Sequence, residues 1–315
     1  MDFRFTEDQL TLAEGVRDYL EGTHGPEVLR RLDEQGARDP AIWQGLVEMG
    51  LPGLMVPEEQ GGLGLGLVEA AMIAVECGRA CLAEPLVDVA FVMAPWLAAK
   101  GETGSLAAIV AGEERPLPVH AINPWVADGE GEALRSVDPL RQLAVVPAKV
   151  SDDPHLLDLG ALMSAAQLVG LADAMLVQAT EYAKVRTQFG QPIGAFQAIK
   201  HQLASCAVAI EFAKPVLWRA AKALNDGVES APVHVSHTKL AATDAAFLTA
   251  ETAIQVHGAM GYTYEVDLHF WMKRTWALGG AWGDRAFHVA RIDRAVIGDA
   301  DREPTLAIGP DHTFA

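Results

Sequence analysis

The segment Arg186-Thr187-Gln188-Phe189-Gly190-Gln191-Pro192-Ile193-Gly194-Ala195-Phe196-Gln197 carries more information than any other part of this sequence. Gly190 and Pro192 end one helical pattern, and a second pattern begins a few residues later. Between them stand a guanidinium that can bind a pyrophosphate bidentately, amides that can donate hydrogen bonds, and an aromatic ring that can stack on a flat ligand. We therefore predict a site for a large, flat, anionic ligand. Taken singly, Arg186 could instead complement a helix dipole, and Phe189 could belong to the core.

Helical patterns surround this segment on both sides. An apolar stripe from Leu156 to about Val185 predicts one long helix. At the N-terminus, Thr6 and Gln9 form a capping-box pattern ahead of a first helix, and the glycine-rich stretch 51–66 predicts a loop. The apolar spacing predicts further helices at about residues 40–49, 67–81, 85–100, 195–225, 235–257, 266–277 and 286–297.

The character of the sequence changes between Ala107 and Asp153. The short apolar runs Ile109-Val110, Leu117 to Ile122 and Leu143 to Val146 lie among Pro, Gly and acidic residues, so they predict a few strands. We therefore predict a mainly α protein with three parts. These are an N-terminal helical domain (1–106), a short β segment (107–153) and a C-terminal helical bundle (154–315).

The composition limits the class of partner. A formal charge of -18 and a pI near 4.9 disfavour nucleic acid and anionic membrane surfaces. We see no basic region followed by an apolar run at the start, and no run of about 18 uninterrupted apolar residues, so a cytoplasmic protein is expected. No metal site is predicted, because His234 and His237 have no further ligand at useful spacing.

A second glycine-rich segment, Gln255 to Thr263, follows 69 residues after Arg186. Gly258 and Gly261 would allow a ligand to approach the backbone, although a plain helix C-cap fits the pattern as well. His257 is more typical of a hydrogen-bonded structural group than of a catalyst.

Four separated motifs, in order, resemble those of the acyl-CoA dehydrogenase family. They are Phe5 to Gln9, the loop Val56 to Gly64, the Arg-x-Gln-Phe-Gly stretch at Arg186, and the Gln-x-His-Gly-x-x-Gly-Tyr-Thr stretch at Gln255. The resemblance implies an N-terminal helical domain, a middle β-domain and a C-terminal four-helix bundle. It also implies FAD as cofactor, an acyl-CoA thioester as substrate, and a flavin that lies at a subunit interface.

The same resemblance implies which residues bind the flavin. Arg186, Gln188, Phe189 and Gln197 would contact a flavin held mostly by a neighbouring chain. The adenosine and phosphate end of that flavin would be lined by Gln255, Val256, His257, Gly258 and Ala259.

Two departures from the family pattern concern catalysis. The family's flavin-binding and substrate-binding motifs of the middle domain are absent between Ala107 and Asp153. Most members place a catalytic glutamate where Trp282 stands here, and a minority place it near Gly160. The catalytic residue of this chain is therefore unknown, with Asp158 and Asp284 as the nearby acids.

Shortened chains of this kind resemble the non-catalytic subunits of α2β2 heterotetrameric acyl-CoA dehydrogenases, which are associated with steroid side-chain degradation. The resemblance implies a full-length partner subunit that supplies the base, and an electron-transfer flavoprotein or similar acceptor. Two alternatives stay open. The chain could form a homomeric enzyme that uses Asp284 or Asp158, or it could be a scaffold subunit that has lost flavin.

Overall fold

The computed structural model describes residues 4–127, 131–145 and 150–298. It is mainly helical, which confirms the predicted fold class. The α-helices are α1 (Glu7–Thr23), α2 (Pro26–Gln35), α3 (Pro40–Glu48), α4 (Leu67–Arg79), α5 (Ala94–Ala99), α6 (Leu106–Val110), α7 (Pro154–Val185), α8 (Gln197–Asn225), α9 (Ala231–His257), α10 (Leu268–Gly280) and α11 (Arg285–Val296). A π-helical segment, Val87–Met93, leads directly into α5. The strands are β1 (Trp125–Ala127), β2 (Glu132–Ala133), β3 (Leu143–Val145), β4 (Thr187–Gln188) and β5 (Gln191–Pro192).

The first helix begins as its sequence predicts. The Thr6 hydroxyl accepts the backbone N–H of Gln9 at 3.2 Å, and the Gln9 side-chain oxygen accepts the N–H of Thr6 at 2.9 Å. This reciprocal pair satisfies two amides that the helix itself cannot bond.

Helix α2 was not predicted, although the sequence contains its boundary signals. Pro26 occupies the first turn, and Gly36 ends the helix in the left-handed conformation at φ 60°. Proline at the start and glycine past the end form the usual asymmetry of helix termini. Leu29 and Leu32 are its buried residues.

Two of the three predicted strands in the middle segment are wrong. Ile109-Val110 end helix α6, in which Leu106 and Ile109 are buried on one face at helical spacing. Between Leu117 and Ile122 the chain makes only isolated bridges from His120. A short apolar run does not distinguish a strand from one buried helical turn, so tertiary packing decided both cases.

The third predicted strand is confirmed over Leu143–Val145, while Val146 lies outside the described residues. It is the central strand of a small antiparallel sheet with the order β1-β3-β2. Ala144 opposes Val126 on one side and Ala133 on the other. This sheet is the β structure that residues 107–153 form within the described ranges.

Helix α7 is the centre of the molecule, with α4, α8, α9 and α10 packed around it. Its contact with α4 is a close approach of backbones. A Cβ at Gly170 would lie 1.9 Å from the Val75 carbonyl oxygen, and one at Gly78 would lie 2.1 Å from the Gln167 oxygen. The N-terminal helices and the bundle therefore share one continuous core.

Helix α7 is also long and apolar enough to span a bilayer by length and composition alone. In the fold, 78% of its most apolar window is buried against the rest of the protein. Its hydrophobicity is thus accounted for as that of a central core helix.

Candidate functional site

The segment that opened the sequence analysis forms a hairpin between α7 and α8. Helix α7 ends at Val185, and strands β4 and β5 pair Thr187 with Pro192 and Gln188 with Gln191. The turn consists of Phe189 at φ 51° and Gly190 at φ 81°. Two-residue hairpin turns commonly need positive φ at both positions, but a phenylalanine there is unusual and strained.

The hairpin presents the predicted ligand-binding groups to solvent. Phe189 is 92% exposed, and its ring meets Phe196 edge-on at 6.1 Å between centroids. Arg186, Gln188 and Gln197 are exposed as well. The hairpin and the first residue of α8 thus expose a guanidinium, two amides and an aromatic face, which can donate hydrogen bonds and stack on a flat ring.

The second predicted segment lies at the end of α9. Gln255, Gly258 and Ala259 are exposed, whereas Val256 and His257 are buried. Gly258 has φ 61° and begins a short 3-10 turn. The side chains of Val256 and His257 therefore belong to the core, and the exposed part of this segment is Gln255 with the backbone at Gly258.

His257 connects the two predicted segments. Its ring stacks on Tyr182 of α7 with centroids 4.3 Å apart, and its Nδ1 donates to the Ala253 carbonyl at 2.7 Å. Burial lowers the pKa of His257, so the imidazole is stabilised in its neutral form. Tyr182 lies one turn before Arg186, so this stack brings the ends of α7 and α9 to the same end of the bundle.

Trp282 fills the interior where the resemblance places a catalytic carboxylate. It is 2% exposed and has φ 59°, and its side chain packs on Gly160 of α7. A Cβ added at Gly160 would lie 2.1 Å from Cδ2 of the indole. The two positions at which the resemblance places a catalytic glutamate are thus in direct contact, and neither carries an acid.

The backbone of the Trp282 turn is held on both sides. The N–H of Trp282 donates to the Asn123 side chain at 3.2 Å, and its carbonyl accepts from Nε2 of His288 at 3.0 Å. Leu278 lies just before the turn, and its carbonyl accepts a hydrogen bond at 2.6 Å from the fully buried Lys239. Burial lowers the pKa of Lys239 to about 7.

Sequence reasoning missed Asn123, Lys239 and His288 because each is an ordinary polar residue in its local pattern. The available signal was weak: Lys239 stands among the apolar residues of α9. Its role depends on α10 ending beside it, and that contact joins residues 39 positions apart in the chain.

The two acids considered as catalytic candidates have other partners. Asp158 is buried and pairs with Arg291 at 2.6 Å; burial raises its pKa, and the guanidinium opposes that shift. Asp284 is the N-cap of α11 and accepts the N–H of Phe287 at 2.8 Å. Capping carboxylates of this kind stabilise a helix start without any catalytic role.

Among the described residues, no three His, Cys, Asp or Glu side chains lie close enough together to hold a metal ion. His234 instead contacts Ser230 and Arg219. Cys77, Cys81 and Cys206 are buried free thiols, and burial raises the pKa of Cys81 to about 12.

Comparison with known proteins agrees with this architecture. The model of the acyl-CoA dehydrogenase N-terminal domain matches residues 6–103, and that of the C-terminal domain matches residues 154–297. The acyl-CoA dehydrogenase IpdE2 of Mycobacterium tuberculosis is 32% identical over 294 residues, covering 85% of this chain and 91% of that relative. The protein of the same name from Mycolicibacterium smegmatis is 30% identical, with 85% and 92% covered.

Solved structures share the fold at lower identity. A chain of the ChsE4-ChsE5 complex from M. tuberculosis has a TM-score of 0.80 at 23% identity, with 95% of this chain and 100% of that chain covered. The Tcur3481-Tcur3483 steroid ACAD G363A variant has a TM-score of 0.81 at 23% identity, covering 91% and 96%. Butyryl-CoA dehydrogenase from Megasphaera elsdenii has a TM-score of 0.81 at 19% identity, covering 94% and 100%.

These matches identify an oxidoreductase fold built from two helical units. This chain belongs to the acyl-CoA dehydrogenase family, whose members normally bind FAD.

Proposed function

We propose that this chain is a subunit of an FAD-dependent acyl-CoA dehydrogenase whose longer partner subunit carries the catalytic base and the acyl pocket. One observation carries the proposal. Trp282 packs on Gly160, so an indole fills the interior position where this chain would need a catalytic base. The reaction requires a carboxylate beside the α-carbon of the thioester. An indole cannot accept that proton, and its bulk excludes the acyl chain from this position.

The residues of the hairpin fit the nucleotide end of a flavin. Arg186 and the exposed amides of Gln188, Gln197 and Gln255 would bind the pyrophosphate and the adenosine, and the open face of Phe189 would stack on an aromatic ring. When bound, the flavin supplies the hydride acceptor for the β-hydrogen of the thioester. The catalytic contribution of this chain is then to orient the cofactor and to complete its binding site.

The partner and substrate follow from the same proposal. We assign the partner as a full-length acyl-CoA dehydrogenase subunit in an α2β2 heterotetramer, with an acyl-CoA substrate and an electron-transfer flavoprotein or similar acceptor. A steroid side-chain CoA ester is the favoured substrate because one similar structure is named a steroid ACAD. A second similar structure is a chain of a two-protein complex, which supports the heteromeric partner. We also propose that the chain divides into the parts 1–106, 107–153 and 154–315, and that the protein is cytoplasmic.

The first test uses the purified chain alone. The chain is mixed with FAD, a panel of acyl-CoA thioesters and an artificial electron acceptor, and is then co-expressed with a full-length acyl-CoA dehydrogenase subunit that carries the catalytic acid. We expect turnover only from the co-expressed pair. Flavin-dependent turnover by the lone chain would refute the proposal and favour a homomeric enzyme.

The second test separates the proposal from a flavin-free scaffold. In the purified complex, Arg186→Ala is expected to lower the flavin content per heterodimer. Lys184→Ala is the matched control, because Lys184 is an exposed cation near the end of the same helix and pairs with Glu181. Equal flavin content in wild type and Arg186→Ala would support the scaffold instead.

A further inference from the structure

A groove with a cavity volume of about 600 Å³ opens between α8, α9 and α11. It contains the first turns of α9, so it lies at the opposite end of the bundle from the hairpin at Arg186. Its apolar lining consists of Pro215, Val216, Val233, Ile292 and Val296.

The polar side of the groove is basic. Arg219 lines it, with its guanidinium against the ring of His234. The N-terminal turn of α9 adds the positive end of a helix dipole. An occupant that combines apolar and acidic residues would therefore suit both sides of the groove.

The chain leaves α11 at the rim of this groove. Val296 is a lining residue, and the helix C-cap Ile297 is followed by Gly298 at φ 84°. A left-handed glycine after a helix C-cap turns the chain away from the helix axis and back across its last turn. The segment that follows therefore starts beside the groove.

Residues 299–315, which lie outside the described ranges, have the matching composition. Asp299, Asp301 and Glu303 come first, with Arg302 among them, and Leu306 and Ile308 follow. Eight residues of extended chain from Gly298 to Leu306 reach up to about 27 Å, which is more than the groove requires.

We propose that residues 299–315 bind in the groove between α8, α9 and α11 of their own chain. The apolar side chains of Leu306 and Ile308 cover Val216 and Ile292, and the acidic residues lie against Arg219 and the start of α9. The tail thereby covers an apolar surface that would otherwise face solvent. This inference is independent of the proposed role in flavin binding.

The test compares the whole chain with a variant that stops after Gly298. A fluorescein-labelled peptide of residues 299–315 is titrated into each protein, and amide exchange is followed in residues 215–219 and 233–237. A short tether gives an effective concentration of about 1 mM, so a tail that is docked most of the time corresponds to a Kd of about 0.1 mM or tighter for the free peptide. We expect the peptide to bind the truncated chain, and to bind the whole chain at least about tenfold more weakly, because its own tail competes.

Two variants locate the binding site. Val216→Asp in the truncated chain should abolish peptide binding, whereas Val208→Asp, two turns earlier on α8 and 55% exposed, should leave it unchanged. In the whole chain, Leu306→Asp with Ile308→Asp should speed amide exchange in the groove. The proposal is overturned if the peptide fails to bind, if it binds both proteins equally, or if Val208→Asp weakens binding as much as Val216→Asp does.

Discussion

The indole of Trp282 packs directly on Gly160, so closely that a single added methyl group would lie 2.1 Å from Cδ2 of the ring. Trp282 follows α10, and Gly160 lies in the second turn of α7. Only a residue without a side chain leaves room for the indole at this point of the core. The pair is thus mutually adapted, and neither residue carries an acid at the two positions where the resemblance places a catalytic base.

Gly160→Ala is expected to lower the free energy of unfolding by about 1–3 kcal/mol, the usual cost of overpacking a filled core. In a Trp282→Ala background the same change should cost little, because the indole is gone. Urea unfolding of the four proteins measures this coupling. Gly15→Ala is the control: Gly15 is inside α1 with nothing within 4 Å of an added Cβ. An equal cost of Gly160→Ala in both backgrounds would contradict the packing argument.

Phe189→Gly should reduce flavin retention in the purified complex while leaving the stability of the isolated chain within about 0.5 kcal/mol of wild type. Phe189 is 92% exposed, and glycine accepts the positive φ that phenylalanine adopts with strain. Flavin absorbance after gel filtration gives the retention. Phe189→Tyr keeps the aromatic face and should retain flavin like wild type, so a loss in both variants would argue against stacking.

Arg274→Leu should destabilise the chain by about 3–5 kcal/mol, because it leaves the Asp138 carboxylate buried without its partner. This ion pair anchors the middle segment to α10, and Arg274 also donates to the Leu82 carbonyl. Arg30→Leu breaks a pair with Asp267 at the surface and should shift the urea midpoint much less. Pairing Arg274→Leu with Asp138→Leu should recover part of the loss, and no recovery would contradict a simple ion-pair role.

His288 should make the protein less stable as pH falls from 7 to 5. Burial lowers its pKa to about 4 from the ordinary 6.5, so between these values the unfolded chain binds a proton that the folded protein does not. Stability therefore falls with pH in this range, by about 2 kcal/mol between pH 7 and pH 5 for this group. His288→Gln should flatten the pH dependence of urea unfolding. The pKa of His24 is also lowered to about 4, so replacing His24 with glutamine should have the same effect. If the slope of stability against pH is unchanged in both variants, these two histidines are not the cause of the pH dependence.

The long helices could be predicted from the sequence because their signals are local. The capping box of Thr6 and Gln9 predicts the start of α1, and the apolar stripe from Leu156 to Val185 matches α7 within two residues at its start. The middle segment could not be predicted as well. Runs such as Ile109-Val110 are too short for their period to distinguish one helical turn from a strand.

For the candidate site as well, some features could be predicted from the sequence and others only from the structure. Residue types at Arg186 and Phe189, and the family resemblance at Gln255, predict flavin contacts, and the structure leaves all three residues exposed at one end of the bundle. Their role in binding flavin stays a prediction. That Val256 and His257 point into the core followed only from packing against Tyr182 and its neighbours.

The sequence by itself determined the helical class of this protein, its family, and the lack of an acid at position 282, since spacing, caps and residue identity are properties of the chain alone. Only the tertiary structure decided that Trp282 rests on Gly160, that Arg291 neutralises Asp158, and that Lys239 bonds the end of α10. Each of these contacts joins residues far apart in the chain. Their geometry depends on how the helices pack, which no local pattern encodes.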